Sequence, residues 1–248
     1  MQRLALSPEE IEALPDNFAA VAATNKIAGF PADLWDTRGP WVLIGDDNKN
    51  TNGARTLTPV HESFFGGRSA FLVLVQAGAS RDQTIKFVRQ LNDRGQSSPT
   101  QVALVRRMLL IDTEGRIRLT PITESVRMRG ESAEREFKLD RKDFLAGKTK
   151  QSIRRVTEDD RERPQIVFLG SNAGDLPTPI LKSCFHCHQG GDLNSRTQTF
   201  SERVGPMRAR PRLIESTLDD EAAKSIRWKN DQFMWGKLQG LWEGQIAK

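Results

Sequence analysis

The chain has 248 residues, with 37 Lys and Arg against 32 Asp and Glu, a formal net charge of +5 and a pI of about 9.4. That length suffices for one large domain or two modest ones with a core that needs no staples, and two cysteines cannot build a disulfide framework. No apolar run approaches the roughly 20 residues of a membrane helix. The basic residues are too evenly mixed with acidic ones to form the tract that nucleic-acid binding favours, so the charge suits an acidic protein partner better.

The first residues, MQRLALSPEEIEALP, lack a charged region followed by an apolar stretch and a small-residue cleavage site, so they do not read as a secretory signal. Ser7-Pro8-Glu9-Glu10 is a capping box with proline at the first helical position and predicts a short helix. Pro15 ends it, and Asp16 caps a second one through NFAAVAATN. Trp41 to Ile44 reads as a short buried strand, and the Asn-rich stretch from Asp46 to Thr58 as a loop. Asp46, Asn48 and Asn50 alternate as in an EF-hand, but Thr51 stands where that loop needs glycine and Leu57 where it needs glutamate. An Asx-rich turn is the better reading.

RSAFLVLVQAG predicts a fully buried strand, and Ser80 with Gln83 caps a helix whose Ile85, Val88 and Leu91 share a face. From Gln101 the period changes. ALVRRMLLID, the turn TEG, RIRLTPI, TESVRMR and REFKLD alternate apolar and polar residues, the pattern of an antiparallel meander with one wet face. The charged segment from Lys148 to Arg163 has little to offer a core and sets a boundary between residues 1–150 and 151–248. PQIVFLGS either adds a strand to the sheet or leads into the second part. Beyond it come glycine, proline and polar residues, then one long helix capped by Ser216 or Thr217, with Asp219, Asp220 and Glu221 in its first turn. Trp228, Trp235 and Trp242 recur on it every seven residues, with Met234, Leu238 and Leu241 beside them.

The second part holds both cysteines and two of the three histidines in KSCFHCHQGG. Cys184-Phe185-His186-Cys187-His188 fits C-x-x-C-H, the pattern of c-type haem attachment. Its chemistry needs two thiols about one helical turn apart to meet the two haem vinyl groups, and a histidine next to them to ligate iron. Thr178-Pro179 offers a cap and first-turn proline for a helix carrying Ile180 to His188. Two other chemistries compete. Zinc can take Cys184, Cys187 and His188, although a structural zinc draws four ligands from two separated pairs and the remaining histidine, His61, is far upstream. A redox dithiol follows a strand and begins a helix, ordinarily without histidine after its second cysteine.

At these residues the chain resembles the c-type cytochromes. The resemblance covers Cys184 to His188 and, more loosely, the region up to the C-terminal helix, and says nothing of residues 1–150. It implies haem c held by thioether bonds to Cys184 and Cys187, with His188 as proximal iron ligand and His186 at a variable position facing solvent. It also implies one-electron transfer with a redox partner protein and assembly outside the bacterial cytoplasmic membrane, in the periplasm or otherwise exported. The family's distal ligand is often a methionine on a proline-bordered loop. Met207 has that setting between Pro206 and Pro211, 19 residues after His188, while Met234 lies within a helical pattern and suits a core.

The expected architecture is therefore α+β: an N-terminal antiparallel sheet with helices, then a mainly helical C-terminal haem-binding part. The tryptophan stripe either packs on the first part or walls the haem pocket. His61, Glu62 and Ser63 are adjacent in sequence, which does not supply the convergence a catalytic site needs, and GSNAGD is not a dinucleotide-binding loop. The reading is of an electron carrier rather than an enzyme. The alternatives are a zinc-stabilised binding or assembly module using Cys184, Cys187 and His188, and a haem enzyme or sensor whose sixth position is open.

Overall fold

A computed structural model describes residues 5–24, 26–46, 69–94, 101–130, 134–162, 178–179, 213–231, 236–237 and 240. The capping signals set its helix starts. In α1 (Pro8–Glu12) the Ser7 hydroxyl accepts from Glu10 N at 3.2 Å, and the Glu10 carboxylate accepts from Ser7 N at 2.7 Å. Asp16 accepts from Ala19 N at 2.9 Å to begin α2 (Asn17–Ala22). In α3 (Arg81–Arg94) Ser80 and Gln83 bond reciprocally, N–H to side-chain oxygen, as their spacing predicts.

The strands are β1 (Val42–Asp46), β2 (Ser69–Gln76), β3 (Gln101–Ile111), β4 (Ile117–Gly130), β5 (Glu134–Leu139), β6 (Ile153–Arg155) and, much later, β9 (Leu213–Glu215). Each neighbouring pair is antiparallel, in the order β6-β5-β4-β3-β2-β1-β9. Between β5 and β6 lie α4 (Arg141–Leu145), capped by Asp140, and a 3-10 turn at Thr149–Gln151. A separate two-residue ladder pairs β7 (Arg161–Glu162) with β8 (Thr178–Pro179). The predicted turn TEG is the β3–β4 hairpin, where Gly115 takes a left-handed φ of 77° and Asp112 Oδ1 accepts from Glu114 N and Arg116 N.

RIRLTPI and TESVRMR run as one long strand, β4, interrupted opposite β3. Arg106 pairs with Ser125 but Arg107 with Thr123, so Glu124 is an extra residue; a further irregularity follows before Leu109 pairs with Leu119. It falls at Pro121, which has no N–H to give a ladder. Asn17 on α2 compensates there: its amide donates to Thr123 O at 3.0 Å and its oxygen accepts from Thr123 N at 2.7 Å, with Asn17 fully buried.

One face of the sheet carries the main core. Leu43, Leu72, Leu74, Ala103, Val105, Val126, Met128, Phe137 and Ile153 meet Phe18 and Val21 of α2 together with Leu34 and Trp41. The charged stretch after Lys148 thus contributes an edge strand and a buried isoleucine. On the opposite face α3 lies over β9, β1 and β2, where Val88 meets Val42, Ile44 and Val75. A fully buried Leu, Val or Phe contributes about 1.5–3 kcal/mol of transfer free energy, so these layers dominate folding.

The expected mainly helical C-terminal part is overturned. Leu213–Glu215 extends the sheet as β9, satisfying the edge that β1 would otherwise leave open. Ser216 N then donates to Leu43 O at 2.9 Å, and Arg81 ties the junction by donating to Trp41 O at 2.6 Å and Glu215 Oε1 at 2.7 Å. The following helix, α5 (Leu218–Asn230), is capped by Thr217 and acidic in its first turn as predicted, but it is 13 residues long and packs on β2 and β4. Its buried line is Glu221, Ala222, Ser225 and Lys229, with Trp228 only half-buried. Glu221 accepts from Ser216 and Lys224 directly above Gly45, where a Cβ would collide with its carboxylate. Glycine on β1 is what lets the helix come so close.

Candidate functional site

The motif lies between β8 and β9. Cys184, His186, Cys187, His188 and Met207 fall outside the described residues, as do His61, Met234, Trp235, Trp242 and the Asn-rich loop after Asp46. The stretch is bracketed by described chain on both sides. On its N-terminal side the expected helix start at Thr178-Pro179 is corrected: both residues are extended, with Thr178 paired to Glu162 and Pro179 to Arg161. A threonine-proline pair suits a helix start, but proline is equally at home in a short edge ladder, which is what the partner strand selects.

Among the described residues the densest charged cluster stands on β2–β5, on the face that α3 covers only in part. Glu124, released from strand alternation by the irregularity in β4, collects three groups. The Ser69 hydroxyl donates to it, Arg141 Nη2 lies 3.1 Å from Oε1, and Arg106 Nη2 lies 3.7 Å from Oε2. One strand over, Arg127 donates to Glu136 through Nε at 2.7 Å and also through Nη2, across the β4–β5 pairing. Arg106 lies 5.8 Å above the Phe71 ring centroid. Ser69, Arg106, Glu124, Arg127 and Glu136 are each between 1% and 6% exposed. The meander therefore does not have the wet second face its alternation predicts.

This arrangement holds opposite charges in fixed pairs, which specifies strand register. Among the described residues no three His, Cys, Asp or Glu side chains converge in a way that would hold a metal ion. None of the described helices is long and apolar enough to cross a membrane.

A third buried arginine sits on the main-core face. Arg107 stacks 5.3 Å from the Trp35 ring centroid, with Asp16 Oδ2 at 3.5 Å. Burial lowers its pKa, and the nearby Asp16 charge works against that shift. Asp16 thereby does two jobs, capping α2 and answering Arg107.

The sequence reading passed over the charged pairs. Their signal was present: "ESVR" in β4 and "ERE" in β5 place Arg127 opposite Glu136 once the strands pair antiparallel. Polar residues in alternation look solvated until a partner strand supplies the opposite charge. None of the known protein families, curated proteins or solved structures compared with this chain matches it.

Proposed function

We propose that this chain is a haem c-binding electron-transfer protein. The observation that carries the reading is the pentapeptide Cys184-Phe185-His186-Cys187-His188. The chain has two cysteines and three histidines in all, and four of these five thiol and imidazole donors fall within Cys184 to His188. That donor set suits covalent haem better than zinc, because no second Cys or His pair exists to complete a four-ligand site.

In this reading Cys184 and Cys187 anchor the ring through thioether bonds and His188 ligates iron from one side. When bound, the haem supplies the one-electron redox chemistry, and the protein sets its orientation, solvent exposure and potential. Met207 is the proposed sixth ligand, whose thioether raises the potential relative to a second histidine. The partner is a redox protein, and the net charge of +5 favours an acidic one. In this reading the protein works in the periplasm or is otherwise exported, as its resemblance to c-type cytochromes implies.

Absorption spectroscopy tests this directly. Protein produced with a cytochrome c maturation system is expected to stay red through acid-acetone extraction, and Cys184→Ser with Cys187→Ser to lose the colour. Colourless protein carrying one equivalent of zinc refutes the reading and favours a zinc-stabilised assembly module. Met207→Ala is expected to open the iron to carbon monoxide; rapid carbon monoxide binding by the unaltered ferrous protein instead makes it a haem sensor or enzyme with an open position.

A further inference from the structure

On the main-core face three buried polar atoms gather around one side chain. Arg107 and Thr123 pair directly across β3 and β4, so their side chains rise from the sheet side by side. Arg107 is 8% exposed and Thr123 is fully buried. The Trp35 ring lies against the head of the same arginine, with its centroid 5.3 Å from Cζ. Arg107 Nε, Trp35 Nε1 and Thr123 Oγ1 are each shut off from solvent and find no hydrogen-bond partner among the described residues. Asp16 answers the guanidinium through Nη2 alone, at 3.5 Å.

The chemistry of the three atoms calls for one small group among them. Arg107 Nε and the Trp35 indole are N–H donors that need an acceptor, and the Thr123 hydroxyl takes either role. Nε joins the stem of Arg107, beside Thr123, to its head, beside Trp35. Two hydrogen bonds end to end span about 6 Å, so a single atom serves neighbours too far apart to bond directly. The interruption of β4 marks the same place: Thr123 bonds Asn17 through its backbone N–H and C=O, next to the extra residue Glu124. Charge decides which group fits. Arg107 and Asp16 already balance, and a chloride would leave a net negative charge in a dry site. Water adds no charge, and it can accept from both N–H groups while donating to the hydroxyl.

We propose that Arg107 Nε, Trp35 Nε1 and Thr123 Oγ1 together hold one buried water molecule, which pins the Trp35 segment to the interrupted part of the sheet. The site is independent of haem, so its test and that of the proposed function stand or fall separately. A crystal structure of the full chain grown in bromide, at a resolution that shows ordered solvent, is expected to place one solvent peak within about 3.2 Å of all three atoms and to give it no anomalous signal. In solution the Trp35 indole N–H, assigned by its NOEs to the Arg107 side chain, is expected to show a cross-peak to water of opposite sign in NOESY and ROESY spectra, the mark of a long-lived bound molecule rather than of proton exchange. The absence of the solvent peak, a peak that reaches only one of the three atoms, or the absence of that cross-peak overturns the proposal. An anomalous bromide signal at the peak overturns it as well, and makes the site one for a halide.

Discussion

Val126 and Arg127 are consecutive residues of β4, yet they live in different chemistries. Val126 joins Val105, Phe137 and Leu72 in a core closed by helices, while Arg127 points the other way into a buried ion pair with Glu136. The apolar side supplies the free energy of folding through area removed from water. The charged side supplies little net stability, because desolvating two charges costs about what their attraction returns. It contributes selectivity instead: a one-residue slip of β5 would take Glu136 away from Arg127 and put Phe137 on the charged face.

The largest expected effect comes from breaking the apolar side. Phe137 is fully buried and meets Phe30 edge-on at 5.2 Å between ring centroids. Phe137→Ala is expected to cost about 3–5 kcal/mol in urea unfolding, transfer and cavity terms together. A cost below about 1 kcal/mol would mean that the centre of the fold lies elsewhere.

The charged side should respond to partners rather than to volume. Glu136→Leu strips the carboxylate from Arg127 and is expected to cost about 3 kcal/mol. Replacing both, Arg127→Met with Glu136→Leu, is expected to recover most of that loss or to exceed the parent stability. A double variant no more stable than the Glu136→Leu single would show that the pair drives stability, and the contrast between the two faces would fall.

What the sequence disclosed follows the range of the interaction. Ser7, Asp16, Ser80 and Thr217 were legible as caps because each acts within three or four residues. The β3–β4 turn was legible for the same reason. β9 was not: three residues in a Pro- and Arg-rich stretch become a strand only because the β1 edge, some 170 residues earlier, accepts them. Likewise Thr178-Pro179 reads as a helix start until Arg161–Glu162 pairs with it. The thiols and imidazoles of the motif are grouped by sequence spacing, and they lie outside the described residues.

The smallest expected effect sharpens the comparison by moving a charge to where it does stabilise, at the end of the sheet. Asp112 is fully buried in the β3–β4 hairpin, where it accepts from Glu114 N at 2.9 Å, Arg116 N at 2.8 Å and Arg118 Nε at 2.8 Å. Burial opposes its ionisation, but the bonds from Arg118 and the Arg116 backbone outweigh burial and hold the carboxyl below the ordinary aspartate range. Because the folded value is depressed, the stabilisation is fully present above the unfolded value of about 3.9 and is lost as pH falls through the folded one. Asp112→Asn keeps the side-chain size and removes the charge. It is expected to cost about 1–3 kcal/mol in urea titrations at pH 7, with the gap to the parent narrowing below about pH 4 as the parent carboxyl itself becomes neutral. Other acidic groups also titrate there, Asp160 beside Arg154 among them, but they are common to both proteins and cancel in the difference. A gap that stays constant from pH 7 to pH 3 would assign the effect to turn geometry, leaving no paired charge in the sheet with a measured stabilising role.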